Sequence, residues 1–198
     1  MKKRLSALVL CLLASFTVPM AVQAVAAATN IEVYEIDSSH SSIKFSIRHF
    51  IAKTTGSFGQ FSGTLQIDRA DLTRSSINAQ IELPSVHTNS EKRDEHLQQD
   101  DYFDAKQYPV MVFESTQWLA TAAEQHFKVV GDLTLRGMTH SVVLDVELLG
   151  FGAGARGAYL SGWEAKTVLD RTLWGIDGGQ PAVGTEVEVE INIEAVRR

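Results

Sequence analysis

The chain has 198 residues, 18 Lys and Arg against 24 Asp and Glu, a net charge of −6 and a single cysteine. Without the first 24 residues, which hold Lys2, Lys3 and Arg4 and no acid, the balance is 15 against 24, or −9. Such an acidic surface argues against nucleic acid and anionic membrane surfaces as partners, and the length suits one domain with an ample core.

Residues 1–24 read as a secretory signal peptide. A basic start at Lys2-Lys3-Arg4 is followed by a mostly apolar stretch from Leu5 to Val18, then small residues, with cleavage expected between 24 and 28. The apolar stretch falls short of the ~20 residues of a membrane-spanning helix. Cys11 lies inside it, and Leu10 is too large for a lipoprotein cleavage site, so the mature chain carries neither disulfide nor thiol chemistry. The periplasm is the expected compartment, and residues 30–198 are expected to form one domain.

Alternation of apolar and polar residues dominates the rest of the chain, the mark of strands with one dry and one wet face. Glu32–Ile36 is a short candidate. Ile43, Phe45 and Ile47 share a face, then Phe61, Leu65 and Ile67 with Gly63, then Ile77, Ala79, Ile81 and Leu83. Thr88-Asn89-Ser90-Glu91 has the form of a capping box and predicts a helix over about 88–101. That helix is nearly all polar, with Leu97 its main apolar residue, and is expected across the side or mouth of a barrel.

Strands resume at Met111–Ser115 and Phe127–Leu135, and Arg136-Gly137-Met138-Thr139 reads as a tight hairpin into Val142–Leu148. Gly150–Gly157 reads as a flexible loop. Trp163–Leu169 is the next strand, then a turn near Asp170–Ile176, where Asp170 and Arg171 are placed to anchor the loop to the barrel. Last comes the clearest alternation, with Val187, Val189, Ile191 and Ile193 on one face and glutamates on the other. Eight such strands favour an antiparallel barrel or sandwich. Eight closed strands leave an interior that side chains can fill or that can hold one small ligand, and small residues on the inward face (Gly63, Ala79, Gly131, Ala165) tilt it toward open space.

Catalytic signals are sparse. The six histidines form no H-x-H or H-E-x-x-H pair, so no metal site is expected. No nucleophile elbow, P-loop or Rossmann glycine pattern occurs, and neither enzymatic activity nor a cofactor is expected. The alternative is an enzyme acting on an isoprenoid lipid through Arg93, Asp94 and His49. His49 continues the inward parity of Ile43, Phe45 and Ile47. It is read either as a contact for a ligand's polar head or as a satisfied histidine at a strand end.

The chain resembles the YceI-like family of periplasmic, polyisoprenoid-binding, lipocalin-like proteins. The resemblance runs through Tyr34–Asp37, His40-Ser41, Ile43–His49, Gly56–Phe58, Phe61–Gly63, Arg93–Leu97, Asp101–Asp104, Tyr108–Ser115, Gly131–Gly137 and Asp170–Ile176. Tyr102 and Trp174 stand where phenylalanine is usual. The resemblance implies an extended eight-stranded antiparallel lipocalin-like barrel with one inserted α-helix. It also implies a lumen for a polyisoprenoid, quinone-like or fatty-amide chain, in a carrier or scavenger tied to stress response or lipophilic antibiotic sequestration.

Strand parity then sets Phe45, Ile47, Phe61, Ile81, Met111, Phe113, Leu133 and Trp163 on the tunnel wall. His49 is expected near a polar end, and Phe103 and Trp174 join the wall from outside regular strands. The expected partner is a lipophilic small molecule, with no nucleic acid and no membrane embedding. An outer-membrane barrel is disfavoured because a polar helix interrupts the strands. A homodimer stays open, since the sequence is silent on oligomeric state.

Overall fold

The structure, a computed structural model, describes residues 30–198. The signal peptide expected at 1–24 lies outside the described residues. Eleven strands form one antiparallel sheet: β1 (Ile31–Ile36), β2 (Ser42–His49), β3 (Ala52–Phe58), β4 (Phe61–Asp68), β5 (Ser76–Glu82), β6 (Val86–His87), β7 (Val110–Ala120), β8 (His126–Leu135), β9 (Met138–Ala153), β10 (Tyr159–Asp170) and β11 (Val183–Arg197). Eight of them close into a ring in the order β1-β4-β5-β7-β8-β9-β10-β11 and back to β1.

The long strand β11 makes this closure possible. Its last residues, Ala195–Arg197, pair with β1, while Val183–Asn192 pair with β2 along the same edge. β1 and β2 therefore follow one another along a single neighbour, and the β2–β3 hairpin extends the wall beyond the ring. The ring has the eight strands read from sequence but a different member, since the sequence reading gives β2 the ring position and leaves β1 optional. β3 was not anticipated at all: Lys53-Thr54-Thr55-Gly56-Ser57 is polar, and a glycine occupies its central inward position. Pairing with β2, not its own pattern, makes it a strand.

Two irregularities re-aim side chains. In β7 the register shifts between Ser115 and Gln117, so Trp118 returns to the interior after Phe113 and Ser115. In β9, Leu148 pairs with Trp163 and Gly150 with Gly162, leaving Leu149 unpaired and exposed while Phe151 turns inward. The expected loop at 150–157 is correspondingly shorter, because β9 continues to Ala153. The predicted hairpin is present: Arg136 and Gly137 both have positive φ (52° and 71°), the two-residue turn whose twist matches its strands.

The helix is also shorter than expected. α1 spans Glu91–Leu97, starts at Ser90 and lacks a side-chain cap. Thr88 is not its cap, because Thr88 is buried and held by two side chains of the helix itself. Its N–H and hydroxyl donate to Asp94, and Arg93 donates to both its hydroxyl and its carbonyl. After α1 the chain makes short turns that lay Tyr102, Phe103 and Ala105 against the core.

One end of the barrel is stoppered. Trp118 meets Trp163 edge-on at 5.6 Å, Trp163 meets Phe151 at 5.9 Å, and Phe151 meets Tyr34 at 6.0 Å. Arg69 lies 3.7 Å over the Phe151 ring, and the Tyr34 hydroxyl donates to Glu32 at 2.6 Å. Burial, then this bond to a carboxylate, pushes the Tyr34 hydroxyl up to about 12. Aromatic edges and a closed ion network seal the base against water.

Candidate functional site

Above that base the barrel is hollow. A cavity of about 400 Å³ runs along its interior, far beyond the roughly 10–15 Å³ that admits one water. Its walls are the inward-facing residues of the strands and are overwhelmingly apolar. The side chains do not plug the middle of the barrel.

Phe45, Ile47, His49, Phe61, Ile81, Phe103, Met111, Phe113, Leu133, Trp163 and Trp174 all border this one space. Trp174 reaches it from the short turn Arg171–Trp174, where its indole N–H donates to the Leu133 carbonyl at 3.2 Å. Phe103 arrives through the turns after α1 and packs on Phe58 at 5.9 Å. Phe58 and Trp118 also border the cavity and were not foreseen. The first sits on the unanticipated β3. The second lies past a bulge that breaks the two-residue period, although the indole's bond to Ser115 at 3.3 Å fixes its position.

The inward glycines do not supply the open space. A Cβ at Gly131 would lie 2.4 Å from the Phe113 ring, and one at Gly56 would lie 2.4 Å from the Phe45 ring. At Gly63 it would meet the Asn78 carbonyl and Ile36 at 2.7 Å. These positions are seats for neighbouring side chains. The lumen stays open instead where β2, β10 and β11 present mid-sized residues such as Ile47, Val187, Val189 and Ile191, which are only half-buried.

Polar groups gather at the end opposite the stopper. His49 and Thr54 on the β2–β3 hairpin, Arg93 and His96 on α1, and Tyr102 border the cavity there, and His49, Arg93 and His96 are exposed. This is the mouth. His49 edges onto Phe50 at 4.8 Å, and His96 edges onto Tyr102 at 5.0 Å.

Arg171 is buried beside the cavity, where desolvation lowers its pKa. Its Nε donates to the Gly184 carbonyl at 2.8 Å and Nη2 to that of Val183, tying the turn to the start of β11. Three buried polar atoms have no partner among the described residues: Arg171 Nη1, Trp163 Nε1 and Ser161 Oγ.

Of the residues of the enzymatic alternative, His49 and Arg93 border the mouth, while Asp94 is engaged beneath the helix. Arg93 and Asp94 both direct their bonds to Thr88, and His87 sits 3.3 Å from Asp94. Burial would raise the Asp94 carboxyl, but the two bonds from Thr88 together with His87 outweigh it and lower it. This network docks the helix. On the outer surface, Asp37, His40 and Glu194 form a group of potential metal ligands whose atoms lie within 4.8 Å of one another. His40 Nδ1 is already bonded to Asp37 at 2.9 Å.

A family model described as YceI-like domain matches residues 34–195. A UPF0312 protein of Photorhabdus laumondii is 32% identical over 173 residues, covering 87% of this chain and 88% of that one. Among solved structures, BcnA of Burkholderia cenocepacia superposes with a TM-score of 0.73 at 21% identity, covering 80% of this chain and 98% of that one. A polyisoprenoid binding domain from Saccharophagus degradans gives 0.67 at 16% identity, with 83% and 98% covered. At those identities both share the fold.

Proposed function

The chain belongs to the YceI-like family, and on that footing we propose that it binds a long-chain lipophilic molecule in its lumen as a periplasmic carrier or scavenger. The observation that carries this reading is the unfilled cavity of about 400 Å³, apolar along its length and closed at one end. The fold it shares with a polyisoprenoid binding domain supports the same reading. A polyisoprenoid, a quinone-like molecule or a fatty amide fits the chemistry: each places a flexible apolar chain against the wall and a polar head toward the mouth. Each buried CH₂ contributes about 0.8 kcal/mol, so a long tail offsets the cost of ordering itself without any special polar contact.

Native mass spectrometry of protein extracted without detergent from its own host tests this. A bound lipophile of defined mass is expected. Protein that carries none, and takes up no prenyl or fatty-amide ligand when these are supplied, overturns the reading.

A further inference from the structure

The turn between β2 and β3 has only two residues, Phe50 and Ile51. Such turns ordinarily use glycine, asparagine or aspartate, because the backbone needs positive φ and the side chains face water. Here Phe50 holds φ at 48°, Ile51 is fully exposed and Phe50 is 63% exposed. Folding covers none of Ile51, and of Phe50 only the part that packs edge-on against His49.

Just beneath, Arg48 and Lys53 stand directly opposite each other across the hairpin. Like charges in that position destabilise a sheet. Lys53 turns aside to Glu188 at 2.7 Å, while Arg48 reaches only the Phe50 carbonyl and has no carboxylate within ion-pairing distance among the described residues. Two exposed apolar residues above one cation that lacks a carboxylate partner, with a second cation held by Glu188 beside it, form a pattern that an anionic apolar surface completes.

The tip also stands at the mouth. His49, the residue before it, borders the cavity, pairs with Val183 and has Ala52 across the hairpin, two residues before the cavity-lining Thr54 and on the same face by alternation. The Phe50 N–H donates to Ala182, and Arg136 donates to Gly175, so the hairpin, the 171–182 segment and the β8–β9 turn share one rim. That rim also exposes Leu173 and Met138.

We propose that the β2–β3 tip is a membrane-docking point that seats the mouth on an anionic bilayer surface, for exchange of the lumen's cargo. This rests on the lipid-carrier reading and adds its delivery partner. The chain's overall acidity does not oppose it, because charges beyond roughly 8–10 Å are screened at physiological salt and the contact is made by the basic tip. Phe50 and Ile51 would insert at the headgroup boundary, with Arg48 and Lys53 at the phosphates.

Flotation with phosphatidylcholine vesicles, with and without phosphatidylglycerol, tests it. The protein is expected to float with the phosphatidylglycerol vesicles and less so at high salt. Ile51→Ser should weaken flotation about tenfold, and Arg48→Gln should reduce binding on the anionic vesicles alone. Neither residue borders the cavity, so both variants should keep wild-type circular dichroism and any co-purified lipid. Absence of flotation by the parent protein, or equal flotation of Ile51→Ser, overturns the docking point. So does concentration-dependent self-association that Ile51→Ser abolishes, which would assign the tip to a second copy. Native mass spectrometry reports the carrier reading separately.

Discussion

The Phe113 ring lies directly over Gly131 on the neighbouring strand, so close that a Cβ there would sit 2.4 Å from its edge. The contact fixes one aromatic wall of the lumen by the absence of a side chain on the facing strand. Gly131→Ala must therefore push the ring toward the cavity or bend β8. A loss of about 1–3 kcal/mol is expected in thermal denaturation, as for other overpacked cores. Lipid capacity should fall with it; unchanged stability would show that the ring yields freely.

Ser161 runs the other way. It is fully buried near the stoppered base, and its hydroxyl has no partner among the described residues. Removing an unsatisfied buried group relieves its desolvation, so Ser161→Ala is expected to raise stability by about 1 kcal/mol. Urea denaturation checks this, and a destabilised variant would reveal a hidden partner for the hydroxyl.

Val189 faces the open part of the lumen, half-buried, between Phe45 on β2 and Thr167 on β10. An indole there grows into existing space and leaves the packed base alone. Val189→Trp should fold normally and lose most of its bound lipid in native mass spectra. Phe113→Asp should lose it too, but through a buried charge that also destabilises the barrel. The tryptophan variant therefore separates occupancy from folding.

The Asp37–His40 pair predicts a pH response. The bond and the charge of Asp37, with Glu194 nearby, raise the His40 pKa, while Ser39 and then His40 lower Asp37 to about 2. For the raised histidine, the pair's stabilisation is present below the ordinary histidine value and fades as pH climbs through the raised one. For the depressed carboxylate it is present above the ordinary aspartate value and fades as pH falls toward 2. An NMR titration should place His40 above an ordinary histidine, and Asp37→Asn should bring it back down. No movement in that variant would leave Glu194 as the cause.

The cavity wall was legible wherever a strand keeps strict alternation. Phe45, Ile47, Ile81, Phe113 and Leu133 all sit on the faces their parity gives. Trp118 and Phe151 were not, because one extra residue in β7 and another in β9 restart the period, and nothing in composition marks the slip. β3 was lost because pairing with β2 overrides its polar sequence. At the helix, Thr88 and Glu91 have the spacing of a cap, yet Asp94 and Arg93 compete for Thr88 and win by burying it. Small residues misled in a different way: a glycine in a sheet marks close approach as readily as vacancy, and only the neighbour's position decides.

The seam along β11 has a mechanical consequence. β1 and β2 occupy one edge in succession, so the eight-strand hoop closes through β1 while β2 and β3 stand as a hairpin beside it. Of the sheet's ladders, only the one between β2 and β11 and the two-residue contact with β6 tie this hairpin to its neighbours, and none of the hoop's rungs depends on it. The hairpin that walls the mouth and the hoop that holds the base therefore stand on separate ladders.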